Sequence, residues 1–345
     1  MKPKVVITQW VHSEIIEFLS KSCEVVPNSS RAKLAKEEIL RRAGDASALM
    51  AFMPDCVDGD FLDVCPDLRI VAGALKGYDN LDAAACEARG IWLTIVPDLL
   101  TVPTAELTHG LMIALARNLG PSDRYLRAGR FKGWAPRFYG VGLDGSTVGI
   151  VGMGAVGQAL AQRLLGYEVE VVYHDLRQLP AQTEQRLRTR RVGLNQLLVS
   201  SDLVAAVLPL NDGTRHFFND HTLGLMKRGS YLINTGRGST VDELAVVRAL
   251  QRGQLRGYAA DVFEFEDWAR GDRPRTIPRE LVGNTEQTLF TTHIGSAVEK
   301  VRFAIAMEAA QSILQALRGE TPRGAVNRPC VPATSINARS ILRGT

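Results

Sequence analysis

No apolar run in this chain approaches the roughly 20 residues that a membrane-spanning helix needs, so no membrane partner is expected. No basic, apolar, small-residue succession of a secretory leader follows Met1; the chain goes straight into an apolar run, Val5 to Thr8. Cysteine is scarce and odd in number, with Cys23, Cys56, Cys65, Cys86 and Cys330 forming no CxxC pair. Reduced thiols of a cytoplasmic protein fit that pattern best, and no metal is expected. Internal repeats and low-complexity segments are missing too. The formal net charge is only +4, and Arg and Lys are scattered except at Arg186, Arg188, Arg190 and Arg191. Without a concentrated basic stripe and interleaved aromatics there is no nucleic-acid footprint, only a mild preference for small anions.

What is present is a globular composition, 46% hydrophobic and 23% charged, which rules out a disordered or fibrous chain. At 345 residues two domains are the better expectation than one. The organising stretch is Thr147 to Asp175. Thr147 to Val151 reads as a buried strand, Gly152, Gly154 and Gly157 follow at GxGxxG spacing, and Gln158 to Leu165 continues at helical intervals. One glycine makes the turn, one lets backbone N–H groups approach a pyrophosphate, and one lets the helix pack on the strand. The phosphates would lie on the helix N-terminus. A second strand, Val169 to Tyr173, leads to Asp175, which can accept from the ribose hydroxyls of NAD and would repel a 2′-phosphate. Arg177, His174 and the arginines at 186–191 lie close in sequence, so lower-efficiency use of NADP is expected beside NAD.

Before that stretch, short apolar runs at Val5 to Thr8, Glu24 to Val26, Ala48 to Phe52, Leu68 to Gly73 and Trp92 to Ile95 alternate with helical patterns. A small α/β domain with parallel strands follows. A helix is expected from Thr101 to Leu119; His109 lies in it and reads as a surface or interface histidine. Asp123 to Gly145 has no strand and no sustained helix after Gly129, and an arm of that length usually packs against something. Beyond the glycines, Asp202 to Pro209, Ser230 to Thr235, Gly257 to Val262 and Leu289 to Thr292 complete a doubly wound sheet of about six strands. Ser296 to Leu317 then returns as a helix to the first domain. The expected architecture is α/β, a Rossmann cofactor domain (residues 101–295) inserted in a smaller flavodoxin-like domain (1–100 and 296–325), with residues 326–345 as a mobile tail.

Chemistry-bearing residues fall just past the carboxyl ends of predicted strands, where open α/β sheets bind ligands. Arg237 sits in TGRG, and its planar fork suits an anion with two or three oxygens. His293 follows the last strand and would project into the crevice. A carboxylate on one of its ring nitrogens would fix the tautomer and favour the imidazolium. Glu264, Glu266 and Asp267 are all candidates, and the residues alone do not choose among them.

GMGAVG with Asp175, NTGRG with Arg237, DVFEFE with Glu266 and THIG with His293 resemble, in order and spacing, the D-isomer-specific 2-hydroxyacid dehydrogenase family. The resemblance covers roughly residues 1 to 325. The interval from Arg237 matches the family's glutamate to Glu266. It implies that Arg237 binds an anionic substrate and that His293 with Glu266 handles the proton. It further implies that Met53, Leu75 and Tyr139 line the substrate pocket, and that Thr104, Ala155, Val156, Pro209, Thr235, Gly236, Asp261 and Gly295 join the glycines at the cofactor. Trp134 and Tyr139 come from the arm, which in the family helps build a homodimer.

Two departures from the family pattern are Lys76, in Ala74 to Asn80, and the long segment Asp267 to Asn284. With MAFMPD at Met50, DLLTVPTAEL at Asp98 and FYG at Phe138, they look like the family's phosphite-oxidising members. That likeness implies oxidation of phosphite to phosphate, with hydride moving to NAD⁺ while water attacks phosphorus. Phosphite is largely a dianion at neutral pH, so Lys76 and Arg237 together would hold it; each cation at ~4 Å contributes at most about 4 kcal/mol at an effective dielectric near 20. Either His293 or an arginine-oriented water serves as the basic element. The alternatives are a D-2-hydroxyacid dehydrogenase acting on glycerate or lactate, and a non-catalytic NAD-sensing scaffold.

Overall fold

The computed structural model describes residues 2–329; Cys330 and the remainder of the expected tail lie outside the described residues. Two compact units form. One comprises the described residues up to Leu100 and from Val298 onward, and the other is Thr101–Ala297.

The first unit holds five strands, β1 (Lys4–Ile7), β2 (Glu24–Val26), β3 (Ala48–Ala51), β4 (Ile70–Gly73) and β5 (Trp92–Thr94). They are all parallel, in the order β2-β1-β3-β4-β5, which is the flavodoxin-like winding. Because the central strands are covered on both faces, β3 and β4 are buried at every position. Alternation sorts the side chains: Val5, Ile7, Ala48 and Met50 join the core under helices Ser13–Ser20 and Glu299–Leu317. Val6, Leu49 and Ala51 join the opposite one. After the last helix the chain is tied to β5, where the Val326 N–H donates to the Leu93 carbonyl and buried Asn327 bonds both Leu93 N–H and the Ile91 carbonyl. The chain is therefore held through Asn327.

The second unit holds β6 (Thr147–Val151), β7 (Glu170–His174), β8 (Thr189–Arg191), β9 (Leu203–Ala206), β10 (Ser230–Asn234), β11 (Leu255–Ala260) and β12 (Thr288–Phe290). Their order is β12-β11-β10-β9-β6-β7-β8, again all parallel. The winding reverses between β6 and β9, the point at which such sheets take ligands. Val148, Ile150, Leu203 and Ala205 face helices Thr101–Ala116 and Ala155–Leu164. Val151, Val204 and Ala206 face the other way, onto helices Leu194–Ser200 and Glu243–Gln251.

Seven strands stand where the sequence pattern showed about six. The extra one, β8, is an edge strand whose Arg190 and Arg191 face solvent, so its charge hid its period. The helix expected to reach Leu119 stops at Ala116, because Asn118 turns left-handed (φ 55) and a second helix, Leu119–Arg127, begins. Among the described residues no helix is long and apolar enough to cross a membrane.

Candidate active site

The site grows from the end of β6. Gly152 has φ 98, a left-handed turn that a side chain would strain. A Cβ at Gly157 would lie 2.3 Å from the Gly152 carbonyl oxygen, so the helix Ala155–Leu164 can approach the turn only as glycine. At Gly154 a Cβ would meet nothing within 4 Å; this is the open side of the turn. The first N–H groups of the helix, at Ala155, Val156 and Gly157, have no intrahelical acceptor by construction and carry the positive end of the helix dipole. The cradle therefore fits the diphosphate of a dinucleotide. Asp175 clamps it, its carboxylate accepting from the Met153 N–H at 2.7 Å and the Arg177 N–H at 3.0 Å. Arg191 donates to the Asp175 carbonyl at 2.8 Å, which places a guanidinium beside this residue.

The loops after β10, β11 and β12 close on one another. A Cβ at Gly238 would lie 1.9 Å from the Phe263 carbonyl carbon, so the TGRG loop and the DVFEFE loop meet backbone to backbone. Half-buried Arg237 donates to the Gly236 carbonyl at 3.1 Å. Buried Asp261 organises the last loop: its oxygens accept from the Thr291 hydroxyl (2.6 Å) and from the Ile294 and Gly295 N–H groups (both 2.8 Å). Thr104 faces Gly295, and Thr108 one turn along the helix reaches the Thr235 hydroxyl at 2.7 Å. Thr108 was missed by the sequence reading, although residues four apart on a helix share a face. Pro209 sits past β9, its carbonyl accepting from the Thr214 hydroxyl.

His293 lies three residues beyond β12, on a turn rather than at the strand's end, because the Thr291 hydroxyl and the His293 N–H both turn back to Asp261. Its φ is 56, a left-handed conformation that costs on the order of 1–3 kcal/mol and persists only where surroundings over-determine it. Its Nδ1 is 2.8 Å from Glu266 Oε2, with both side chains partly buried. The other Glu266 oxygen accepts the Phe263 N–H at 3.0 Å. The three candidate acids thus separate: Glu266 meets His293, Glu264 meets His216 at 2.7 Å, and buried Asp267 accepts the Ser239 N–H at 2.9 Å. With Nδ1 committed to a carboxylate, Nε2 is the ring atom left for proton transfer.

In the first unit, Lys76 is half-buried, and burial pushes its ammonium below the usual lysine range against the opposing pull of Asp98. Met53 is partly buried against the core, while the Leu75 side chain is 1% exposed within it. Tyr139 and Trp134 of the arm are 69% and 86% exposed. His109 packs edge-on against Tyr167, and burial, then Arg163, depresses its imidazole.

A Rossmann-type cradle with an imidazole–carboxylate pair at the carboxyl ends of its strands defines a nicotinamide-dependent oxidoreductase. The chain matches the NAD-binding domain of the D-isomer specific 2-hydroxyacid dehydrogenases over residues 109–295. It is 35% identical over 336 residues to the glyoxylate reductase of Pyrococcus horikoshii, across 96% of this chain and 98% of that protein. It is also 36% identical over 335 residues to the glyoxylate reductase of Aeropyrum pernix, across 96% and 97%. Among solved structures, an NADPH-dependent glyoxylate/hydroxypyruvate reductase of Sinorhizobium meliloti, in complex with NADP and malonate, superposes with TM-score 0.81 at 27% identity, over 94% of this chain and 97% of that one. The chain belongs to the D-isomer specific 2-hydroxyacid dehydrogenase family.

The comparisons correct one expectation. Oxidation of phosphite rested on Lys76 and the long segment after Glu266, yet the full-length relatives at about 35% identity are named glyoxylate reductase. The physical reason is that a lysine, like an arginine, attracts any small anion and does not tell a carboxylate from a phosphorus oxyanion.

Proposed function

We propose that this chain interconverts a small 2-oxoacid of the glyoxylate class and its 2-hydroxyacid, in the D configuration where the product is chiral. The observation that supports it is the His293–Glu266 pair at 2.8 Å beside the Arg237 loop. NAD would be held by Gly152, Gly154, Ala155, Val156, Gly157 and Asp175, with Thr104, Pro209, Thr235, Gly236, Asp261 and Gly295 toward the nicotinamide; when bound it supplies or accepts the hydride. Arg237 grips the substrate carboxylate with its planar fork. His293 Nε2 gives a proton to the carbonyl oxygen as it becomes a hydroxyl, and takes it back in the reverse direction. Glu266 keeps the imidazole in the tautomer and orientation this needs. A non-catalytic sensor has no use for that pair. The exposed Trp134 and Tyr139 fit a homodimer, and the free thiols of Cys23, Cys65 and Cys86 fit a cytoplasmic protein.

The test is NADH oxidation with glyoxylate, hydroxypyruvate and pyruvate, and NAD⁺ reduction with D- and L-glycerate. Turnover of the 2-oxoacids and of the D isomer is expected. No turnover with any of them, or turnover with phosphite alone, would overturn the reading.

A further inference from the structure

A second imidazole–carboxylate pair stands behind the first. His216 Nε2 lies 2.7 Å from Glu264 Oε2, and Glu264 is two residues from Glu266 on the single 3-10 turn Glu264–Glu266. Both histidines hold left-handed backbone, φ 47 at His216 and φ 56 at His293. Two such residues gripping one short turn from separate loops is an arrangement that surroundings must maintain. Glu264 is further locked by a reciprocal bond with Glu243: the Glu264 N–H donates to Glu243 Oε1 at 2.9 Å, and the Glu243 N–H donates to Glu264 Oε1 at 3.2 Å. His216 also reaches the arginine loop, its N–H donating to the Ser239 carbonyl at 2.7 Å. Gly238 of that loop is pressed against the Phe263 and Glu264 backbone.

We propose that His216, acting through Glu264, is a positioning residue that sets the turn on which Glu266 addresses His293. His216 itself touches no reacting atom. Its bond fixes one end of a three-residue turn, Glu243 fixes the backbone of that end, and the far end carries Glu266. Freed at Glu264, the turn can rotate, and Glu266 Oε2 leaves the His293 Nδ1 while the fold around it remains. The inference rests on the reading that the His293–Glu266 pair moves the proton.

The experiment is a double-mutant cycle of His216→Ala with Glu266→Gln, using the 2-oxoacid that the parent reduces. Residues acting through one another are non-additive. His216→Ala is expected to lower kcat on the order of 10-fold in the parent and less than about 2-fold in the Glu266→Gln background, with KM for NADH unchanged. His216→Gln, whose amide still donates to Glu264, should recover most of the loss. Equal losses in both backgrounds, or none in the parent, overturn the proposal, since a merely structural histidine acts alike in both. If His216→Ala does not fold, Glu264→Gln takes its place with the same two outcomes. A second arm needs no substrate: hydrogen exchange at the Phe263 amide, which donates to Glu266, should quicken roughly 10-fold in His216→Ala. Unchanged protection there overturns the positioning role, whereas an idle parent enzyme overturns only the proposed reaction.

Discussion

The first strand of each sheet ends at the corresponding place, the switch point of its own winding, and the two ends are finished in different ways. Past β6 the turn is Gly152, Met153, Gly154, and its open side meets no protein atom within 4 Å of a Gly154 Cβ. Past β1 the corresponding stretch carries side chains and has no left-handed residue. Thr8 bonds the Asp55 carboxylate and the Met50 carbonyl, Asn28 donates to the Thr8 carbonyl, and Trp10 lies under the Arg31 guanidinium at 4.1 Å. Winding decides where backbone N–H groups point; side-chain volume decides whether an anion reaches them. One architecture therefore serves as a cofactor cradle and, elsewhere in the chain, as a packed end.

The largest expected effect tests whether proton chemistry belongs to the open end. His293→Ala should lower kcat by about 10²–10⁴, the usual contribution of a positioned acid–base group, with NADH affinity intact by fluorescence titration. Full turnover would move the chemistry elsewhere. Next, Gly154→Ala places a methyl group in the cradle where a Cβ meets no protein atom and φ is −70, so it should weaken NADH binding roughly 100-fold while thermal unfolding stays put. A fall in melting temperature with affinity retained would show that the turn, like its counterpart past β1, serves packing.

A smaller effect sharpens the cradle's ligand. Asp175→Ala removes a like charge from the 2′-phosphate position and leaves Arg177 and Arg191 nearby, so the NADP to NAD ratio of kcat/KM should rise about 10-fold. The same change frees the Met153 N–H, so NAD efficiency should fall as well. A parent that already prefers NADP would contradict the role given to Asp175.

The smallest compares buried carboxyls, one per unit. Burial raises Asp55 in the first, while Glu243 in the second is pushed up to about 8 by burial, with Glu264, Asp267 and Glu266 adding to the push. Below the ordinary carboxyl value both folded and unfolded chains hold the Glu243 proton. As pH rises from there to about 8, only the unfolded chain releases it, so folding becomes steadily less favourable. Glu243→Gln should flatten the fall in unfolding midpoint between pH 5 and 8 and leave the variant ahead at pH 8. A parallel fall in both would remove Glu243 as the titrating group.

The glycine turn, Asp175 and most strands were legible because their signals are local: a period of two, an invariant spacing within one strand–turn–helix unit, an acid at the next strand's end. The edge strand β8 was not, since Arg190 and Arg191 face water and read as scattered charge. Nor could order in the sequence assign Glu264, Glu266 and Asp267 to partners, because His216, His293 and Ser239 come from three other loops. Resemblance chose Glu266, whose carboxylate lies 2.8 Å from His293 Nδ1. His216 carried no signal at all; a lone loop histidine is informative only once its carboxylate is in place. The substrate misled for a related reason, because Lys76 advertises charge and not the geometry of the group it would meet.

The helix Glu299–Leu317 and the strand-pinning Asn327 also set an order of events during synthesis. The first five strands leave the ribosome early, but the helix that covers Val5, Ile7, Ala48, Met50, Ile70 and Ala72 follows the whole second unit. At ~5–20 residues per second, the roughly 200 residues between them take about 10 to 40 s. For that interval one apolar face of the nascent sheet lacks its cover, so the growing chain should depend on a holding chaperone more than the finished enzyme does.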